Sequence, residues 1–249
     1  MEISDYVDAI ERSGTALLTA ARDAGLDAPV PTCAEWLVRD LVGHQGGVHR
    51  WAAWHVTTGS EAVATGEQTA RLFATPPDAA LFDWFVAGHR ALIGALDGAD
   101  PDLHCWTFLP APSPLAFWAR RQAHETTIHS RDAEAAAKRA TPVPRTLAVD
   151  GIDELLFGFL ARPRGRLVAD PPVSLAIVAD DTGDAWTIRI ERDRRCSTRG
   201  LELADCTVSG TADAMYRTLW NRAELDEITV RGNDYVLNLW REKATITWS

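Results

Sequence analysis

"SPLAFWARRQAHETTIHSRDAEAA", residues 113–136, decides how the first half of the chain is read. Ser113 can cap a helix and Pro114 can open it, because the amide that proline lacks is one of the first-turn donors with no helical partner. From there Trp118, Gln122, Glu125, His129, Asp132 and Ala136 keep to one side at helical spacing. Glu125 and His129 are four apart and stack on that side, with about 5–6 Å between Cβ atoms, while His124 is turned away by roughly 100°. A carboxylate and an imidazole thus share one face of a helix that otherwise belongs in a core.

Upstream of it, Val7, Ile10, Ala16, Leu17, Leu18 and Ala21 recur as on a helix that Ser4 can cap and Gly25 ends. "TCAE" at 32–35 has the spacing of a capping box, Thr32 with Glu35, and predicts a second helix starting there. Its stripe is Leu37, Leu41, His44, Val48, Trp51 and His55. "ATPPDAALFDWFVAGHRALIGALDG" at 74–98 predicts a third, capped by Thr75 and closed by Gly98. With the helix at 113–136 this makes four long helices and little strand signal before residue 165, the pattern of a four-helix bundle.

The periodicity then changes. "TPVPRT" at 141–146 reads as a linker, followed by one more helical stretch, "GIDELLFGFLA" at 151–161. "VSLAIVAD" and "AWTIRIERD" alternate with period two and are joined by "DTGD", and "CTVSG" and "EITVRGN" are short strands around a helix, "TADAMYRTLWNR", capped by Thr211. The expected fold class is α+β overall, a helical bundle over residues 1–145 and a small α+β domain over 146–249. No internal repeat or low-complexity tract interrupts this order.

Composition narrows the function classes. At 46% hydrophobic and 24% charged residues the 249-residue chain can bury a sizeable core. A formal net charge of −10 and a pI near 5.1, with no Lys/Arg cluster, argue against nucleic acid as a partner. Four cysteines without a C-x-x-C pair read as reduced, structural thiols. An acidic N-terminus and the lack of 18 consecutive apolar residues argue for a cytoplasmic protein with no membrane partner.

Within a bundle, His44 from the second helix and Glu125 with His129 from the fourth would make a His2Glu set suited to zinc or another divalent first-row ion. Three protein ligands leave a coordination position open, which suits catalysis more than bracing. Against this stands a polar core, in which a histidine on an apolar stripe is simply hydrogen-bonded and Glu125 pairs with Arg121, four residues before it. The motif is not H-E-x-x-H, since His124 and His129 are five apart and diverge by roughly 140°, which makes a zincin protease reading poor. Asp132, three after His129, can orient that imidazole. His49 falls off the stripe, His55 lies about 16 Å along the axis from His44, and His89 and His104 have no ligand-spaced neighbour. "GHQGG" at 43–47 matches neither a phosphate loop nor a dinucleotide fingerprint. Trp36, Trp51, Trp54, Trp84 and Trp118, at helical positions, are most simply core.

"PTCAEWLVRDLVGHQGGVHRWA" at 31–52 and "FWARRQAHETTIHSRDAE" at 117–134 together resemble the mycothiol-dependent maleylpyruvate isomerase family, and "VSGTADAMYRTLWNR" at 208–222 resembles its C-terminal domain. The resemblance implies a DinB-like metal-binding bundle followed by a sterol-carrier-like domain. It implies that His44, Glu125 and His129 bind a divalent metal, zinc for preference, that mycothiol is the thiol cosubstrate, and that Arg222 is the basic residue assisting the reaction. A helix C-terminal charge is the plain alternative for Arg222. The implied activity is a metal-dependent isomerase or S-transferase acting on a small electrophile. Two other classes stay open: a small-molecule binding or regulatory protein without turnover, and a metal-dependent hydrolase, which would have Asp132 as its one spare carboxylate.

Overall fold

The computed structural model describes residues 1–163 and 165–246 and divides into two compact units, Met1–Thr141 and Pro142–Ser249. The first unit contains α1 (Ile3–Ala24), α2 (Val38–Thr58), a short α3 (Gly66–Leu72), α4 (Asp78–Asp97) and α5 (Pro114–Ala136). Helix α1 lies along α5 and α2 along α4, with α2 also touching α5. Leu17, Ala20 and Ala21, Val38, Leu41 and Val42, Leu81 and Phe85, and Ala133 meet in the core where these four helices converge. Each large side chain there stabilises the unit by about 1.5–3 kcal/mol.

The stripes are where the sequence places them, apart from Leu37, which stands in extended backbone just before its helix, but three of the four helix starts are not. Ser113 does cap α5, its Oγ accepting the Ala116 amide at 3.1 Å. Helix α1 begins at Ile3 instead of after Ser4, with the Asp5 carboxylate taking the Glu2 amide at 2.8 Å. Helix α4 begins at Asp78, two residues beyond the first proline after Thr75. The largest displacement is in α2, which starts at Val38 and takes its entrance acceptor from Asp40, 2.9 Å from the Leu37 amide. Thr32 does not cap it, because its hydroxyl is committed to Asp132 on α5. Residues 26–37 are instead a loop tied back on itself, Val30 donating to Trp36 O at 2.9 Å and Val38 to Ala28 O at 2.9 Å.

Glycines let the elements of this unit approach closely. A Cβ on Gly14 of α1 would stand 2.2 Å from the His89 ring, and one on Gly46 of α2 would stand 2.3 Å from the Trp84 ring. His89 cannot swing aside, since its buried ring is stacked on Phe85 at 5.8 Å and lies 5.1 Å from His49. At the other end of α2, His55 is enclosed by the rings of Trp51, Trp54, Trp106 and Trp118 at 5.2, 4.8, 5.2 and 5.1 Å. Trp118 is fully buried, whereas Trp36, Trp51, Trp54 and Trp84 are half-buried. Helix α4 is long and apolar enough to cross a membrane by length and composition, yet it carries Asp83 and Arg90 and sends Leu81, Phe85, Leu92 and Leu96 into the bundle.

The second unit begins with α6 (Arg145–Asp153), continued by a wider π-type turn over Glu154–Phe159. A five-stranded sheet follows: β1 (Val173–Ala179), β2 (Asp184–Ile190), β3 (Arg195–Arg199), β4 (Cys206–Gly210) and β5 (Thr229–Gly232). Its order is β3-β2-β1-β4-β5, antiparallel except for β1 with β4, where Leu175 faces Cys206. Helices α7 (Ala212–Leu219) and α8 (Asp234–Lys243) pack on β1 and β4. Leu175, Ile177, Trp186, Ile188, Cys206 and Val208, alternate residues of their strands, are buried on one face of the sheet. Thr211 caps α7 as expected, accepting from Ala214 at 3.2 Å. Strand β3 and helices α3 and α8 are additions to the elements read from the sequence.

Two measurements check this packing. Gly14→Ala should lower the stability of the chain by about 1–3 kcal/mol, seen as a lower urea midpoint, because the added methyl overpacks a closed contact. Burial pushes the His55 imidazole down to about 4 from 6.5. Between those values the unfolded chain takes up a proton that the folded one refuses, so stability falls as pH drops through this window and is unaffected above it. His55→Phe should flatten the decline in urea midpoint between pH 7 and pH 4.

Candidate metal centre

Three side chains from two helices converge in the first unit. His44 projects from α2, and Glu125 and His129 project from consecutive turns of α5, so that the ligand-type atoms of all three lie within 4.8 Å of one another. His44 Nε2 is 3.4 Å and His129 Nε2 is 3.3 Å from the same carboxylate oxygen, Glu125 Oε1. A tetrahedral ion with bonds of about 2.0–2.1 Å spans donor–donor edges of about 3.3–3.4 Å. The donor set and these two edges therefore fit a divalent ion such as zinc. Glu125 and His129 are buried and His44 is about one-fifth exposed, which leaves approach from one side.

The polar-core alternative and the ligand reading use different atoms of Glu125. Its other oxygen, Oε2, accepts from Arg121 Nη2 at 3.0 Å, and Arg121 is itself buried. Burial alone would raise the Glu125 carboxyl, but hydrogen bonds from His129 and His44 and the nearby positive charges outweigh it and hold the group well below the usual range. Glu125 is thus ionised, as a ligand must be.

Asp132 is the partner that sequence spacing suggests for His129, and its reach is longer than the helix. Fully buried, it accepts from His129 Nδ1 at 2.9 Å through Oδ2. It also accepts from the Thr32 hydroxyl at 2.5 Å and the Cys33 thiol at 3.3 Å, both on the α1–α2 loop. Holding the proton on Nδ1 leaves the Nε2 lone pair for a ligand. Cys33, His129 and Asp132 also form a cluster of ligand-type atoms, but Asp132 spends both oxygens on donors there. That cluster orients the first. The Trp36 ring covers both imidazoles, nearly parallel to His129 at 6.0 Å and tilted over His44 at 5.0 Å. Trp36, read as core, is thus part of the site's wall.

Other histidines stand apart from this set. His124, turned away as its register requires, is buried with its ring edge-on to Tyr6 at 6.4 Å. His49 is off the stripe yet fully buried, bonded to Gln45 at 2.8 Å and Thr126 at 2.9 Å, and burial keeps it neutral. His89 is buried and His104 exposed. Arg222 belongs to the second unit, just past α7, where its amide donates to Arg217 O at 2.8 Å and its Nη1 to Trp220 O at 3.3 Å. The signal for Thr32, Cys33 and Trp36 lay in no local pattern, since their partners are about a hundred residues or a helix away.

Removing the Asp132 acceptor tests this arrangement. Burial would lower the His129 imidazole, but Asp132 and Glu125 outweigh that and raise it to about 9. Metal uptake at pH 7 therefore displaces a proton, so apparent affinity should climb with pH to about 9 and level off above it. Asp132→Asn should weaken metal binding by about 10–100-fold and move that levelling point down, measured by competition with a chromophoric chelator. Unchanged affinity and an unchanged pH profile would contradict the role given to Asp132.

Residues 7–134 match the family described as Mycothiol maleylpyruvate isomerase N-terminal domain, and residues 146–238 match the MDMPI C-terminal domain. Among solved structures, the crystal structure of the mycothiol-dependent maleylpyruvate isomerase shares 13% identity over 92% of this chain and 93% of that one, with a TM-score of 0.62. A point variant of that enzyme superposes with a TM-score of 0.63 at 11% identity and the same coverage. At such identities the superposition establishes a common fold. Among curated proteins, no sequence matches.

Proposed function

Because the chain belongs to the mycothiol maleylpyruvate isomerase family, we propose that it is a mycothiol-dependent isomerase whose reaction centre is built on His44, Glu125 and His129. The observation that supports this is the convergence of two imidazole Nε2 atoms on one carboxylate oxygen inside the matched N-terminal domain. These three residues would hold a divalent ion, zinc by ligand type, which when bound supplies the positive charge that keeps a thiol as reactive thiolate at neutral pH.

Each neighbouring residue has a task in that reading. Arg121 fixes Glu125 through Oε2, while the His129 and His44 imidazoles hold it ionised. Asp132 holds the His129 proton on Nδ1. Trp36 shields the imidazoles from water on one side. In the reaction, the thiolate adds to the cis double bond of a small substrate conjugated to a carbonyl, and the electron pair of the double bond moves onto the carbonyl oxygen. The former double bond then rotates, and collapse of the enolate expels the thiolate and restores the alkene in the trans form. Arg222 is assigned to the substrate's carboxylate or enolate, because a guanidinium gives two parallel charge-assisted hydrogen bonds. Free thiols at all four cysteines fit a reducing cytoplasm.

Metal content and turnover of maleylpyruvate with mycothiol test the proposal together. The parent should carry about one metal per chain, the number set by one three-ligand site. His44→Ala and His129→Ala should lose it and the activity, whereas His124→Ala should keep the metal. Arg222→Lys should keep the metal and lower kcat/KM by about tenfold or more, since a lysine cannot make the bidentate contact. Stoichiometric consumption of thiol into a stable adduct would mark an S-transferase. Tight substrate binding with neither outcome would mark a binding protein, and loss of metal in His124→Ala equal to that in His129→Ala would overturn the ligand assignment.

A further inference from the structure

A cleft of about 500 Å³ opens beside His44 in the first unit. Two aromatic rings, Trp36 and Phe73, line it together with that imidazole, Trp36 at 5.0 Å and Phe73 at 6.5 Å from the His44 ring. The cleft is built by close approach of the 73–76 segment to α2: a Cβ on Gly47 would lie 2.4 Å from the Phe73 ring, and one on Gly43 would lie 2.9 Å from Thr75 Cγ2. Its rim is acidic. Glu35, Asp40 and Asp78 stand against one cation, Arg39, which is already paired with Asp27 and Asp78. Glu35 is held at φ 70°, a backbone region that a residue with a Cβ seldom occupies, and strain of this kind collects where a side chain is aimed at a ligand.

We propose that this cleft seats the uncharged, hydroxyl-rich part of the thiol cosubstrate and rejects the anionic electrophile. The inference rests on the isomerase reading above and assigns the side of the site from which the thiol enters. Flat aromatic walls receive the C–H faces of a sugar or cyclitol ring, and carboxylates on the rim accept hydrogen bonds from its paired hydroxyls. Mycothiol, an acylated amino sugar joined to a cyclitol, offers both and carries no net charge. A dicarboxylate such as maleylpyruvate meets instead a rim with three carboxylates and one guanidinium, a net charge of −2. Like charges brought together in a partly desolvated cleft repel. The cleft therefore sorts the two reactants by charge, with His44 at the boundary.

The probe is mycothiol methylated on sulfur, which removes thiolate binding and leaves the hydroxyl-rich part intact. By calorimetry it should bind the parent, and bind the chelator-stripped parent within about threefold. Glu35→Asn, which tolerates the left-handed backbone, and Phe73→Leu, which keeps apolar bulk against Gly47 but removes the flat ring, should each weaken it by about tenfold or more while metal content stays at the parental value. Excess maleylpyruvate should not displace it. The inference is overturned if the capped thiol does not bind, if both variants bind it like the parent, if stripping the metal abolishes binding, or if maleylpyruvate competes for the cleft. A parent that never takes up metal yet binds the capped thiol through Glu35 and Phe73 sinks the proposed reaction centre and leaves the cleft assignment standing. Full metal loading with a cleft indifferent to the capped thiol does the reverse.

Discussion

A buried carboxylate with its two oxygens given to different partners governs the first unit. Glu125 turns Oε2 to the Arg121 guanidinium and Oε1 to the imidazoles of His44 and His129. An ionised carboxylate in a bundle interior is costly unless paired and hydrogen-bonded, and this one is satisfied from both sides. The division gives α5 its position against α2, because His44 must reach the same oxygen that His129 reaches from the turn below. Were both oxygens taken up by arginine, the unit would hold a plain salt bridge and no donor would be left for a ligand.

Along α5 the pairing extends into a ladder. Arg121, Glu125, His129 and Asp132 follow at intervals of four, four and three, alternating in sign on one buried face. Each member is paired to the next, at 3.0, 3.3 and 2.9 Å. The ladder ends at Asp132, whose further donors come not from α5 but from Thr32 and Cys33. The loop carrying those residues also carries Glu35 and Trp36, so the outermost rung of the buried ladder anchors one wall of the cleft. Position of the wall and orientation of His129 are set by one carboxylate.

Much of this was legible along the chain wherever one helix carried the whole pattern. Ser113 with Pro114, the stripe from Trp118 to Ala136 and the shared face of Glu125 and His129 are all local, and all are as spacing implies. So are the period-two strands β1 and β2 and the Thr211 cap. Legibility ended where a distant partner competed with a local one. Thr32 has perfect spacing for a capping box with Glu35, but the buried Asp132, 100 residues away, offers a charged acceptor that a helix end cannot match. Strand β3 reads "RCSTR", without apolar alternation, because it is an edge paired on one side only. Helix α8 has a local start, Asn233 accepting from Tyr235, but it follows β5 directly and is only ten residues long.

The glycines of α2 carry a consequence for how this unit comes together. Gly43, Gly46 and Gly47 stand within five residues of one another, each facing a side chain that leaves no room for a methyl group. Three glycines in a helix interior forfeit about 2.4–3 kcal/mol of helix propensity relative to alanine, and a 21-residue segment of that composition is a poor helix in water. Helix α2 therefore gains its helicity from the partners that its glycines admit, Trp84 and Phe73 among them. It folds with them in one cooperative step, so the helix that presents His44 does not exist apart from the walls that surround it.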